Sequence, residues 1–461
     1  MGRILGLIGP AQRKMSTLSV AGTRENEGGI EWRRSMVWLL FLTPFFFLSY
    51  GFANAHAERV GATNALFFAW ERQIPFVPWT IVPYWSIDLL YGLSFLMCRT
   101  PGMVNRHALR LLTVQLISVT CFFLFPLHFA FDRPDTDGFL GAMFNALMGF
   151  DKPYNQAPSL HIGLLVVIWM MFAQGTRGVW SWLTHLWAVL IGVSVLTTYQ
   201  HHFIDIPTGV AAGFIAAWLW PDQGPSLLTD FHLTTNPQRR RLALLYGVGA
   251  GILSGIAAIR GGVWLWLFWS ALSLGLVAIN YLVFGASGFQ KQASHHSVAV
   301  RALCWPYLLA AWLNSRWWTR KHPAPVNICE DVWLGRIPDK RDMEVYGMNA
   351  LCDVSAELPA PAGGWRSVHL PWLDLVIPSS RQLLAAAREI ESLHGEGRVL
   401  VCCALGFSRS ACAAAAWLVV TGRATSVNEA IACIRSQRPD IVLNLSHFAA
   451  LTACQAEAIH D

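Results

Sequence analysis

The sequence predicts two unlike parts, an α-helical polytopic membrane domain of about eight spans followed by a soluble α/β domain. Three observations carry that expectation. Apolar runs of bilayer-spanning length recur before residue 320. Charged residues make up only 13% of the chain, and the deficit falls mostly in that first stretch. Near the C-terminus, the apolar run Val399-Leu400-Val401, a loop containing Gly406 and an alanine-rich stretch at 411–420 read as strand, loop and helix.

In chain order, residues 1–35 form a basic cytoplasmic segment with Arg3, Arg13, Lys14, Arg24, Arg33 and Arg34. It lacks the early apolar core of a signal peptide. The membrane domain is expected at 36–285, with spans near 36–54, 79–97, 108–131, 159–175, 179–199, 206–221, 242–259 and 263–285. Trp79, Tyr84, Trp85, Trp180 and Trp220 at their ends suit interfacial anchoring. An interfacial linker follows at 286–322; its apolar part, 302–313, is too short to span and is expected to lie along the membrane surface beside Trp317 and Trp318. The soluble domain, 323–461, offers strands at Val332-Trp333-Leu334-Gly335 and Ala350-Leu351-Cys352-Asp353-Val354, a helix at 380–390, and a closing helix and tail at 430–445.

Alternating the spans gathers Arg99, Arg106, Arg110, Arg177, Arg239, Arg240, Arg241 and Lys291 on the side of residues 1–35. That side is cytoplasmic by the positive-inside rule. The soluble domain falls there too, and it holds seven of the ten cysteines, which suits a reducing compartment. The expected location is the inner (plasma) membrane, multi-pass, with the C-terminal domain cytoplasmic. The net charge of +6 reflects membrane flanks and implies no nucleic-acid partner.

The most informative motif is Cys403-Ala404-Leu405-Gly406-Phe407-Ser408-Arg409-Ser410. Loop amides and a helix N-terminus converge on one spot and bind an anion there. The same field favours the thiolate, the form in which a cysteine attacks. Arg409 can grip two phosphate oxygens in a bidentate fork, Gly406, Ser408 and Ser410 are expected to bind the substrate, and Ser410 also places a hydroxyl beside the sulfur. A phosphocysteine route also needs a proton for the leaving oxygen, and Asp374, ahead of the helix at 380–390, is the candidate general acid. Asp353 reads as structural. The motif resembles the signature of the cysteine-dependent phosphatases, and its trailing Arg-Ser suggests the dual-specificity branch. Cys402 stands where that family has a histidine. The resemblance implies a soluble α/β cysteine-phosphatase domain acting on a phosphomonoester, in a phosphoprotein or a phospholipid.

Three polar clusters mark the membrane part: Asp132-Arg133-Pro134, Pro158-Ser159-Leu160-His161 and His201-His202-Phe203-Ile204-Asp205. The expected topology puts all three at extracytoplasmic span ends, where polar residues are functional candidates. The pattern resembles the type-2 phosphatidic acid phosphatase (PAP2) superfamily, with Ser194 seven residues before His201 as in its third motif. The resemblance implies that His201 attacks phosphorus, Asp205 orients it, His161 protonates the leaving oxygen, and Arg133, Ser159 and Ser194 hold the phosphoryl group. Pro126 and Val195 replace two cations of the common pattern, as in the inositol phosphorylceramide and sphingomyelin synthase subgroup, so headgroup transfer to an alcohol stands beside hydrolysis. Lys152 is a candidate to restore charge, and His202 reads as a bystander. The chain is expected to be a bifunctional phosphatase acting on a phospholipid or lipid phosphate, without metal or cofactor. A phosphoryl-binding pseudo-phosphatase and a transporter are the competing classes; for the latter, the polar residues sit at one face and not at mid-depth.

Overall fold

Capping side chains set the starts of the helices that begin at Pro101, Leu160 and Pro237 in the first two-thirds of the chain. The computed structural model describes residues 31–229 and 231–460, so Arg3, Arg13, Lys14 and Arg24 lie outside the described residues. Helix α1 (Trp32–Arg59) is followed by α2 (Ile81–Ser94), α3 (Pro101–Leu124), α4 (Gly138–Phe150), α5 (Leu160–Gly175), α6 (Val179–Thr197), α7 (Asp205–Leu219), α8 (Pro237–Arg260) and α9 (Leu267–Ile279). Thr100 caps α3 by accepting the Met103 N–H, and Pro101 fills the first position, where no donor is needed. Ser159 caps α5 in the same way through Ile162, and Asn236 caps α8 ahead of Pro237.

All eight expected runs are helical, yet only six helices among the described residues are long and apolar enough to cross a membrane. The segments at 160–175 and 205–219 fall short, at about 1.5 Å per residue against a core of about 30 Å. Their position explains the length. Helix α5 is buried over most of its surface and packs against α2, α3, α6 and α7, so protein and not solvent or lipid surrounds it. Its crossing with α7 is close: a Cβ at Gly209 would meet the Ser159 carbonyl at 2.6 Å. Small residues here bring the starts of α5 and α7 together.

Three expectations need correction. Helix α3 ends at Leu124 and not near 131, because Pro126 follows within two residues. Helix α4 occupies a stretch expected to be a loop. Residues 302–313 are part of a longer helix, α10 (Val298–Trp318), capped by Ser297 and packed on α7 and α9. Reading charge alone cut it short, since Arg301 and Arg316 sit within its outer turns.

Between α9 and α10 a small hairpin, β1 (Lys291–Gln292) and β2 (His295–His296), reaches the C-terminal domain. That domain contains β3 (Val326–Cys329), β4 (Val332–Arg336), α11 (Lys340–Val345), β5 (Ala350–Ser355), β6 (Arg366–Trp372), α12 (Ser380–His394), β7 (Val399–Cys403), α13 (Arg409–Val420), α14 (Val427–Gln437) and α15 (Leu445–His460). The sheet order is β3-β4-β7-β5-β6, parallel throughout except that β3 runs against β4. Strands β5 and β7 are fully buried; β7 is an unbroken apolar run, whereas β5 also buries Asp353 and Ser355. The closing segment holds two helices, α14 and α15, where one helix and a tail were expected at 430–445. The core gathers Val399, Val401, Ile390, Trp417, Ile434 and Leu451 between sheet and helices.

Candidate active sites

Strand β7 lies between β4 and β5 and delivers Cys403 to the sheet's edge, where parallel strands of such sheets leave a ligand crevice. The loop then turns tightly at Gly406, whose φ is +79°. A Cβ there would meet the Gly335 carbonyl carbon at 2.5 Å, so only glycine fits. The turn directs the Gly406 N–H onto the Cys403 sulfur at 3.2 Å, and the Ser410 hydroxyl donates to it at 3.3 Å. Ser408 pairs through its hydroxyl with His447 Nε2 at 3.1 Å, tying the loop to α15. Neighbouring Cys402 points into the core; burial, reinforced by the Asp353 carboxylate, pushes its thiol well up and keeps it protonated.

Arg409 opens α13 and is 3% exposed. Its Nη1 donates to Glu357 Oε2 at 2.8 Å and to the Trp372 carbonyl at 2.9 Å; its Nη2 donates to Glu357 Oε1 at 2.5 Å. Asp374 Oδ1 lies 2.9 Å from the same Nη2. One guanidinium is therefore held by two carboxylates and a carbonyl, within electrostatic reach of Cys403. Burial alone would raise the Glu357 carboxyl, but the Arg409 charge and its hydrogen bonds hold it below the ordinary range. Asp374 moves the other way: burial of its carboxyl raises it, the Glu357 carboxylate adds to that, and Arg409 only partly offsets it. The Glu357 carboxylate is thus favoured as the anion, whereas Asp374 holds its proton more tightly than an ordinary aspartate, the direction that suits a general acid. Sequence reading missed Glu357. It lies 52 residues before Arg409, just past a buried strand, and nothing local marks it. Asp353 is fully buried and bonded to Lys291 Nζ at 2.5 Å, so it ties the hairpin to the sheet.

The second constellation forms where α5 and α7 begin. His201 Nδ1 faces Asp205 Oδ2 at 3.2 Å, and His201 Nε2 faces the Ser159 hydroxyl at 3.1 Å. Asp205 also accepts the His202 N–H at 3.0 Å. With Nδ1–H donating to Asp205, Nε2 keeps its lone pair and accepts from Ser159. His161 stacks on Tyr84 with ring centroids 4.2 Å apart. Arg133 donates to the carbonyls of Thr198 and Tyr199, just ahead of His201, at 3.2 and 3.4 Å. Ser194 lies apart from this network, its hydroxyl donating to the Ile191 carbonyl of its own helix. His202 is occupied with Glu71 at 3.2 Å and the Ala130 N–H at 3.1 Å. Lys152 does not supply charge here; it pairs with Glu58 at the surface.

Asp151 was missed in the sequence. It accepts from the Tyr50 hydroxyl at 2.5 Å and the Tyr84 hydroxyl at 3.2 Å, within electrostatic reach of His201 and Arg133. A carboxylate ten residues before His161, at the end of an apolar stretch, was the available signal.

Residues 332–457 match the family described as dual specificity phosphatase, catalytic domain. Among solved structures, Tk-PTP in its active form is similar at 26% identity over 29% of this chain and 98% of its own, with a TM-score of 0.27. Human DUSP28 is similar at 23% identity over 29% and 97%, with a TM-score of 0.27. PTPMT1 in complex with PI(5)P is similar at 22% identity over 29% and 96%, with a TM-score of 0.26. No curated protein matches the chain. The C-terminal domain is a dual-specificity phosphatase catalytic domain, and the chain that carries it is a phosphoric monoester hydrolase.

Proposed function

We propose that the chain is a two-site integral-membrane phosphatase, with a cysteine site in the cytoplasm and a histidine site on the opposite face. The observation that carries the reading is that Arg409 pairs with Asp374 at 2.9 Å and lies within electrostatic reach of Cys403. In the first step the Cys403 thiolate attacks phosphorus as Arg409 grips the equatorial oxygens. The S–P bond forms, the P–O ester bond breaks, and the leaving oxygen takes the Asp374 proton. In the second step Asp374, now a carboxylate, takes a proton from water. The water oxygen bonds to phosphorus, the S–P bond breaks, and inorganic phosphate leaves with the thiolate restored.

At the second site His201 Nε2 would take the phosphoryl group from a phospholipid or lipid phosphate, with Asp205 holding the ring and His161 supplying the leaving-group proton. The course of α7 supports that separation. Asp205 begins that helix, whereas Trp218 near its end bonds Gly288 and Gln290, beside the hairpin that meets the phosphatase domain. The cations Arg106, Arg110 and Arg239 lie toward that second end, which supports a cytoplasmic phosphatase domain. The replaced cations at Pro126 and Val195 favour, as a second reading, transfer of a phospho-headgroup. Adding an alcohol acceptor to the assay separates transfer from hydrolysis, by whether a new phosphodiester appears.

The cysteine mechanism is tested by Asp374→Asn. Turnover of alkyl phosphates, whose leaving oxygen needs the proton, is expected to fall by roughly two or more orders of magnitude. Activated aryl phosphates should be far less affected. The pH dependence has a fixed sign. Asp374 acts when protonated, and its raised pKa keeps it so to higher pH than an ordinary aspartate; activity on alkyl phosphates then falls as pH rises through that pKa. In Asp374→Asn this alkaline fall should disappear from the pH profile. An unchanged profile would remove Asp374 from the mechanism.

A further inference from the structure

The loop that carries Asp374 is fastened to the apolar helical domain. Directly after α9 the chain forms one π-helical turn at Asn280–Phe284, a departure from α geometry often found at functional sites. Arg239 of α8 satisfies carbonyls of that turn, donating Nε to Tyr281 O at 2.9 Å and Nη2 to Asn280 O at 3.4 Å. Tyr281 is 1% exposed, its ring 5.4 Å from that of Tyr246. Its hydroxyl crosses to the phosphatase domain and donates to the Asp374 carbonyl at 2.9 Å. Three residues on, the Ile377 N–H donates to Gln238 Oε1 in the first turn of α8 at 3.3 Å. Leu373 and Val376 fill the space between these anchors, packed against Ala243, Val277 and Phe289.

The loop needs such support. Leu375 sits at φ +56°, a left-handed conformation unfavourable for a residue with a branched side chain. It persists only where its surroundings impose it. Within the phosphatase domain, the Asp374 carboxylate has Arg409 as its ionic partner, and that arginine must also receive the substrate. The backbone on either side of Leu375 is held by groups from the helical domain.

We infer that Tyr281 and Gln238 are positioning residues for Asp374, so that the cysteine site is complete only in the full-length chain. The inference rests on the assignment of Asp374 as general acid. Neither residue touches the substrate; each sets where the acid's backbone lies, and thereby where its proton is delivered. A misplaced acid harms the protonation of a poor leaving group and spares the attack by sulfur.

The test uses full-length protein in detergent micelles, with the histidine site silenced throughout by His201→Ala, and compares an alkyl phosphate with p-nitrophenyl phosphate. Tyr281→Phe keeps the ring and removes only the hydroxyl. It is expected to lower kcat on the alkyl phosphate by about threefold to tenfold, the rate equivalent of one lost hydrogen bond, with KM unchanged. The aryl phosphate should lose less. Gln238→Leu should act in the same direction and Gln238→Glu, which keeps an acceptor, should restore the alkyl rate. Adding Tyr281→Phe to Asp374→Asn should cost nothing further. Equal losses on both substrates, or full additivity with Asp374→Asn, would overturn the inference. If Asp374→Asn itself showed no preference between the substrates, the acid assignment would fail instead, whatever Tyr281→Phe does.

Discussion

Cys403→Ser removes the phosphomonoesterase activity of the cysteine site, by on the order of a thousandfold or more, while phosphate-mimic binding persists. Serine is close in shape, and the Gly406 N–H, the α13 N-terminus and Arg409 stay where they are. The binding cradle is therefore intact, but a hydroxyl in that place is a far weaker nucleophile than a thiolate. Vanadate or phosphate titration against the inactive variant, monitored by calorimetry, checks the binding half. Full-length protein with His201→Ala, assayed on a phosphomonoester, checks the chemical half. Retained turnover would place the nucleophile elsewhere; Cys402, buried and protonated, could not take the role without a rearrangement of β7.

His201→Ala is the counterpart at the other site, expected to reduce turnover of a lipid phosphate there to background while leaving the cysteine activity unchanged. The change deletes the Nε2 proposed to attack and the partner of both Ser159 and Asp205. Asp205 keeps the His202 N–H, so the loss of stability should stay within about 1–3 kcal/mol, the usual cost of unpaired buried groups. Parallel assays with Cys403→Ser separate the two activities: each variant should lose one and keep the other. His201→Gln serves as a second variant that fills the space without an imidazole.

The cysteine motif was legible because its chemistry is local. Nucleophile, loop glycine and arginine lie within seven consecutive residues, and the strand before them and the helix after them follow from plain apolar patterning. Asp374 was proposed from its place ahead of a helix, and the fold sets its carboxylate 2.9 Å from Arg409. Glu357 was not, because its meaning comes from a sheet that brings residues 357 and 409 together. The spacing of His201 and Asp205 anticipated their contact, whereas Asp151 was overlooked because its partners Tyr50 and Tyr84 come from two other helices. The same limit hid the role of Tyr281, which reads as one more aromatic residue at a span end until the phosphatase domain is seen against it. Helix α10 was misjudged for a different reason: counting charges shortened it, whereas Ser315 near its end donates to the Ala404 carbonyl of the phosphate loop at 2.5 Å, so its last turns rest on protein.

The central claim is that phosphoryl groups pass through Cys403. The most direct measurement is a rapid quench of full-length His201→Ala protein turning over a phosphate-labelled monoester, followed by peptide mapping of the covalent adduct. The account predicts label on the peptide containing Cys403, accumulating further in Asp374→Asn when an activated aryl phosphate is used, because the acid that serves the first step is also the base for the second. Steady turnover with no label at Cys403, or with label on another residue, would contradict it.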